Sequence, residues 1–127
     1  APALLTGVEL AIPVVYARKN QPLTMASDPF REQSESHTHK KSVELIVSSE
    51  YLRKEDRVLI IDDFLATART ILALVKVVEK SGATLVGIAS VIEKIFEGGR
   101  DRVSGLGVPV VSLASIKSFD DGRVNFA

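Results

Sequence analysis

Two adjacent carboxylates, Asp62 and Asp63, follow an uninterrupted apolar run, Val58-Leu59-Ile60-Ile61, and precede the small and hydroxyl-bearing stretch Ala66-Thr67-Ala68-Arg69-Thr70. These types in this order suit a phosphorylated sugar. Where a helix begins, its first amides are unpaired and carry partial positive charge, so residues 66–70 can wrap an anion. Ala66 and Ala68 let the backbone come close to phosphate, while Thr67 and Thr70 add hydroxyl donors. Twin carboxylates would repel phosphate, but they suit the neutral hydroxyls of a ribose or a magnesium ion. An isolated acid pair after a strand reads more simply as a helix cap, and Thr67 is a rival cap. The fixed register of apolar strand, acid pair and hydroxyl loop lifts this pattern above that reading.

Three further groups carry chemistry. Lys94 ends a second apolar run, where lysine is uncommon. Its ammonium only donates, so it favours a carbonyl oxygen on a ligand and rejects an amino group. The plainer alternative is a lysine reaching to solvent or paired with Glu93. Arg18 and Lys19 can clamp a diphosphate through charge-assisted hydrogen bonds, or be a solvated pair opening a loop. His37 and His39 lack an evident third metal ligand, which favours polar loop residues over a metal site.

The elements that must position these groups follow from periodicity. Ala3–Leu10 reads as the end of a helix with Gly7 its weak point, and Ile12–Ala17 as a strand with Pro13 near its start. From Arg18 to Ser42 no period is sustained, which points to a mobile functional loop, with Asn20–Lys41 able to close over a site. Ser42–Ser48 reads as an edge strand. Val58–Ile61 has the unbroken apolar character of a parallel strand covered on both faces, placing Asp62 and Asp63 just beyond its end. Ile71, Leu74, Val75 and Val78 form one helical stripe, Lys76 and Lys80 complement the helix dipole, and Gly82 supplies the stop. Thr84–Ile92 is the next strand, with Gly87 allowing close packing. Glu97–Leu106 reads as a short helix, Val108–Leu113 as a strand and Val124–Phe126 as a last one. The alternation predicts an α/β fold, a central and mostly parallel sheet with right-handed crossovers.

Composition limits the alternatives. The 127 residues form one domain large enough for a core, 46% hydrophobic and 25% charged. Sixteen basic residues balance sixteen acidic ones, so no global field argues for nucleic acid or an anionic membrane. There is no cysteine, hence no disulfide framework and no thiolate zinc site. Lys76 and Glu79 interrupt the best membrane-span candidate. The chain opens on Ala1-Pro2-Ala3-Leu4-Leu5, without an initiator Met, so an amino-terminal piece is expected to be missing.

The thirteen residues Val58–Thr70 resemble the signature of the purine/pyrimidine phosphoribosyltransferase family. Over essentially the whole chain the sequence is similar to its bacterial xanthine-type branch. The matching segments are Ile12–Lys19, Val58–Ala66, Val91–Phe96 with Gly99-Arg100-Asp101, and Ser112–Ile116. The resemblance implies a type I phosphoribosyltransferase fold with a flexible loop over the site. It also implies transfer of the phosphoribosyl group of PRPP to N9 of xanthine in a cytosolic, homodimeric, magnesium-dependent enzyme of purine salvage. By the same resemblance Ala66, Thr67, Ala68, Arg69 and Thr70 bind the 5-phosphate, and Asp62 and Asp63 the ribose. Lys94 meets the base, Phe96 stacks beside it, and Arg18 and Lys19 lie near the pyrophosphate. Many family members have two glycines where Ala68 and Arg69 stand, so this loop is stiffer and bulkier. The family's upstream pyrophosphate loop and amino-terminal base-pocket residues have no counterpart here.

Other classes fit less well. A non-catalytic PRPP sensor of the purine-operon type would add a basic DNA-binding segment, which is not visible, and would not need Lys94. An adenine-type enzyme conflicts with a donor-only lysine; xanthine and guanine suit it. A receiver domain needs a phosphorylatable Asp ending a later strand, where Glu93-Lys94 stands instead.

Overall fold

A computed structural model describes residues 1–25, 28–35 and 42–127. Helix α1 (Pro2–Leu10) is followed by strands β1 (Phe30–Glu35), β2 (Ser42–Val47) and β3 (Arg57–Leu65). Helix α2 (Arg69–Ser81) leads to β4 (Thr84–Lys94), a 3-10 turn (Ile95–Glu97) and helix α3 (Gly99–Ser104). Strands β5 (Val110–Asp120) and β6 (Arg123–Phe126) complete the order. The main sheet runs β3-β4-β5-β6, its first three strands parallel and β6 antiparallel to β5. Strands β1 and β2 form a separate antiparallel hairpin.

One face of the main sheet carries the core. Ile60 and Leu65 of β3, Ile71, Val75 and Val78 of α2, Ile88 of β4 and Val103 of α3 pack together. Both crossover helices therefore lie on the same side, as successive right-handed connections require. Gly82, at φ 76°, ends α2 in the left-handed conformation. Gly87 leaves room for Leu59, whose Cδ1 would lie 3.2 Å from a β-carbon added there.

Helix α2 is buried on a second side that the apolar stripe did not anticipate. Val77 joins Val47 and Leu52 in a smaller cluster with Phe30 beside it, which seats the β1–β2 hairpin on the helix. Lys80 ties the two together, donating to the Arg31 carbonyl at 2.6 Å and pairing with Glu32 at 2.7 Å.

Four expectations need correction. Residues 12–17 form no strand; only Arg18 pairs, its amide and carbonyl exchanging hydrogen bonds with Ile46. β-branched side chains do not suffice without a partner ladder. The stretch expected to be an irregular loop contains β1, which hydrophobic periodicity missed because Phe30, Glu32 and Ser34 share a face on which only Phe30 is apolar. Of the rest of that stretch, residues 26–27 and 36–41, with His37 and His39, lie outside the described residues. Strand β3 is fully covered on one face only; on the other α1 comes close and Ile61 is half-buried, but Leu59 stays 37% exposed. It also runs on to Leu65, so the acid pair sits within the strand, Asp62 in register with Ser90 of β4.

Candidate active site

Strand β3 turns into α2 through residues 66–68, and there the acid pair and the hydroxyl loop come together. Asp62, Asp63, Ala66, Thr67, Ala68, Arg69 and Thr70 line one cavity of about 270 Å³, with Phe64 and Ile71 completing it. A larger hollow of about 460 Å³ lies between α1 and residues 11–16. Its lining, mainly Leu4, Val8, Ile12, Pro13 and Val14, offers nothing to a charged sugar.

The turn is held in an unusual conformation. Ala68, the residue before α2, has φ 64°, and no side chain caps the helix. Thr67 is therefore not the cap that sequence allowed. A non-glycine residue in the left-handed region costs roughly 1–2 kcal/mol. Glycine would sit there freely, which is the physical content of the departure from the two-glycine pattern. Leu72 closes the first helical hydrogen bond to the Ala68 carbonyl at 2.8 Å.

The acids are arranged for charge. The Asp63 amide donates to Asp62 Oδ1 at 2.9 Å, and the Phe64 amide to Asp63 Oδ1 at 3.0 Å. Burial first, and the neighbouring Asp63 carboxyl second, push Asp62 up to about 6. A partly buried carboxylate beside another gains from any cation or hydroxyl donor placed between them. Carboxylate oxygens are also the hard donors that magnesium takes. Among the described residues no group of three or more His, Cys, Asp or Glu forms a ready metal cluster.

Lys94 stands at the end of β4 with its ammonium 5.4 Å from the centre of the Phe64 ring. Its nearest carboxylate is Glu97 at 3.7 Å, not Glu93 as the plainer sequence reading held. Glu93 is 3% exposed and belongs to Arg100, whose Nε and Nη2 donate to its two oxygens at 2.7 and 2.6 Å. The guanidinium holds the Glu93 carboxyl below its usual range. Phe96 is 52% exposed and meets Phe119 of β5 edge-on, ring centres 5.7 Å apart. Phe64 and Phe119 were not singled out from sequence; the only signal was an aromatic residue near the carboxyl end of a strand. Arg18 and Lys19 are exposed and do not line the cavity.

An acid pair on a parallel strand, followed by a strained anion turn and a helix, is the arrangement that known proteins can now be set against. The phosphoribosyl transferase domain family matches residues 1–123. The chain belongs to this family. Among phosphoribosyltransferase relatives, the xanthine phosphoribosyltransferase of Deinococcus deserti is 51% identical over 96% of this chain and 63% of its own length. That of Geobacillus thermodenitrificans is 48% identical over 99% of this chain and 65% of its own. The chain thus spans a little under two thirds of the length of the curated relatives it matches. The adenine phosphoribosyltransferase structure from Rhodothermus marinus superposes with a TM-score of 0.77 at 28% identity, covering 88% of this chain and 61% of that one. The one from Thermoanaerobacter pseudethanolicus gives 0.75 at 27%, covering 88% and 62%. The expected phosphoribosyltransferase fold, a mixed and mainly parallel sheet with helices packed on it, is therefore present.

Proposed function

We propose that this protein is a purine salvage enzyme that moves the phosphoribosyl group of PRPP to N9 of xanthine, giving XMP and pyrophosphate. The observation that carries the reading is the cavity in which Asp62 and Asp63 face the turn 66–70. It is supported by xanthine phosphoribosyltransferase relatives at up to 51% identity.

In this reading the amides of the turn, with the hydroxyls of Thr67 and Thr70, bind the 5-phosphate, and Arg69 adds charge beside them. Asp62 and Asp63 accept hydrogen bonds from the ribose hydroxyls and favour positive character on the sugar as the anomeric bond breaks. Asp62 and Asp63 would help hold the magnesium carried chiefly by PRPP, and the metal would supply charge neutralisation for the departing diphosphate. Arg18 and Lys19 are assigned to the same diphosphate on resemblance alone, since neither lines the cavity. Lys94 donates to an oxo group of the base and Phe96 stacks on its face. A donor-only lysine favours xanthine, guanine or hypoxanthine over adenine. No general base is needed, because xanthine loses a proton easily. The working protein is placed in the cytosol as a homodimer, without nucleic-acid or membrane partners. Among the described residues, no helix is long and apolar enough to cross a membrane.

The test is the full-length protein with PRPP, magnesium and each purine base in turn, followed by nucleotide formation. XMP should form fastest. Failure to form nucleotide from any base refutes the proposal, and a preference for adenine refutes the role of Lys94.

A further inference from the structure

The turn 66–68 rests on α3, an element that follows the base-side residues rather than the sugar-side ones. Gly99, the first residue of α3, is buried against it. A β-carbon added at Gly99 would collide with the Ala66 carbonyl oxygen and lie 2.9 Å from the Ala68 nitrogen. Three residues on, Arg102 Nη1 donates to the Thr67 carbonyl at 3.0 Å. Val103 is fully buried in the same cluster as Leu65 and Ala68. Helix α3 is itself pinned, because Arg100 grips Glu93 and also donates to the Val110 carbonyl at 2.9 Å.

The direction of these contacts matters. In a trans peptide the carbonyl and the following amide point opposite ways, and no cis peptide is present among the described residues. With the Ala66 carbonyl against Gly99, the Thr67 amide turns away from that residue; with the Thr67 carbonyl held by Arg102, the Ala68 amide turns away from the guanidinium, and both residues line the cavity. Neither amide donates to another group among the described residues. We propose that α3 is a brace that aims the phosphate-binding amides, with Gly99 and Arg102 as positioning residues for a sugar phosphate. The proposal rests on the reading of residues 66–70 as a phosphate cradle. It adds that the brace also carries the strain at Ala68, and that it couples the base side of the site to the phosphate side through one short helix.

The experiment compares full-length wild type with Arg102→Ala, Arg102→Lys and Gly99→Ala. It measures calorimetric Kd for ribose 5-phosphate, melting temperature, and KM for PRPP and for xanthine. Arg102→Ala should raise the Kd for ribose 5-phosphate and the KM for PRPP about tenfold, the cost of one charge-assisted hydrogen bond, with the KM for xanthine little changed. Arg102→Lys should recover part of this loss, because an ammonium can still donate to the Thr67 carbonyl. Gly99→Ala should weaken binding further, since backbone must move to admit the methyl group. An Arg102→Ala protein that melts lower yet binds ribose 5-phosphate like wild type overturns the proposal, leaving α3 a structural role only. So does a folded Gly99→Ala protein with wild-type affinity. If wild type itself fails to bind ribose 5-phosphate, the phosphate cradle falls and the brace with it, a result distinct from equal binding by wild type and variants.

Discussion

Asp62, within β3, and Ala68, at the start of α2, flank one short turn, and each is held in a state it would leave if free. At Asp62 the cost is electrostatic: a carboxyl pushed up to about 6 by burial and by Asp63. At Ala68 it is conformational: an alanine at φ 64° on the edge of a helix. The two differ in what offsets them. The cost at the acid pair is one that a ligand with hydroxyls or a bound cation can offset. The turn is held by α3, so the scaffold bears that cost before any ligand arrives. Strain at a binding site can thus be left for the ligand to relieve, or fixed by the fold so that the site is ready beforehand.

The comparison breaks most plainly through the acids. Replacing both Asp62 and Asp63 by Asn should lower turnover with PRPP by on the order of 100-fold or more, read from steady-state rates. Unchanged rates would remove the acids from the site. The strained turn should respond next. Ala68→Val places a β-branched residue in the left-handed region of a packed turn and should cost about 2 kcal/mol or more in denaturant unfolding. Ala68→Gly instead sets relief of about 1–2 kcal/mol against glycine's entropy of about 0.5–1 and a lost methyl of about 0.8. Its stability should stay near wild type while ribose 5-phosphate binding weakens.

A third prediction uses pH. The folded protein keeps the Asp62 proton to higher pH than the unfolded chain does. Ligand-free stability should therefore fall as pH rises from 3.8 toward about 6, then level off. Glu93 acts in the opposite sense: held low by Arg100, it stabilises the fold above its ordinary 4.5 and loses that contribution as pH falls. The difference between wild type and Asp62→Asn isolates the first effect. The variant should melt higher than wild type near neutral pH and lose that advantage toward pH 4. A gap that does not change with pH would mean that Asp62 bears no electrostatic cost. The smallest effect belongs to the hairpin. Lys80→Ala should cost at most about 1 kcal/mol and leave ribose 5-phosphate binding untouched.

The sequence made the parallel strands legible because β3, β4 and β5 carry short apolar runs, even where, as at Leu59, Val111 and Leu113, the side chains stay exposed. Helix α2 was legible through its stripe and through Gly82. The chemical positions 62–63 and 66–70 were legible because their register is set by one local turn. What stayed hidden depended on distant partners. Ile12–Ala17 has strand-like composition but no ladder, and β1 has a ladder but a largely polar inward face. Glycine at position 99 gave no hint that backbone from residue 66 would lie against it. Lys94 was recognisable, whereas its place over Phe64 and the theft of Glu93 by Arg100 required the fold.

The edge-on contact of Phe96 with Phe119 has a consequence for the order in which the site is assembled. A chain growing from its amino terminus makes the acid pair, the turn and α3 available before the residues of β5 that carry Phe119. On the proposed reading, the surface for the sugar's phosphate can therefore be built before Phe96 has the ring it rests against. A nascent chain halted after α3 would hold residues 62–70 together with Lys94 and Phe96, but not Phe119, the ring against which Phe96 comes to rest.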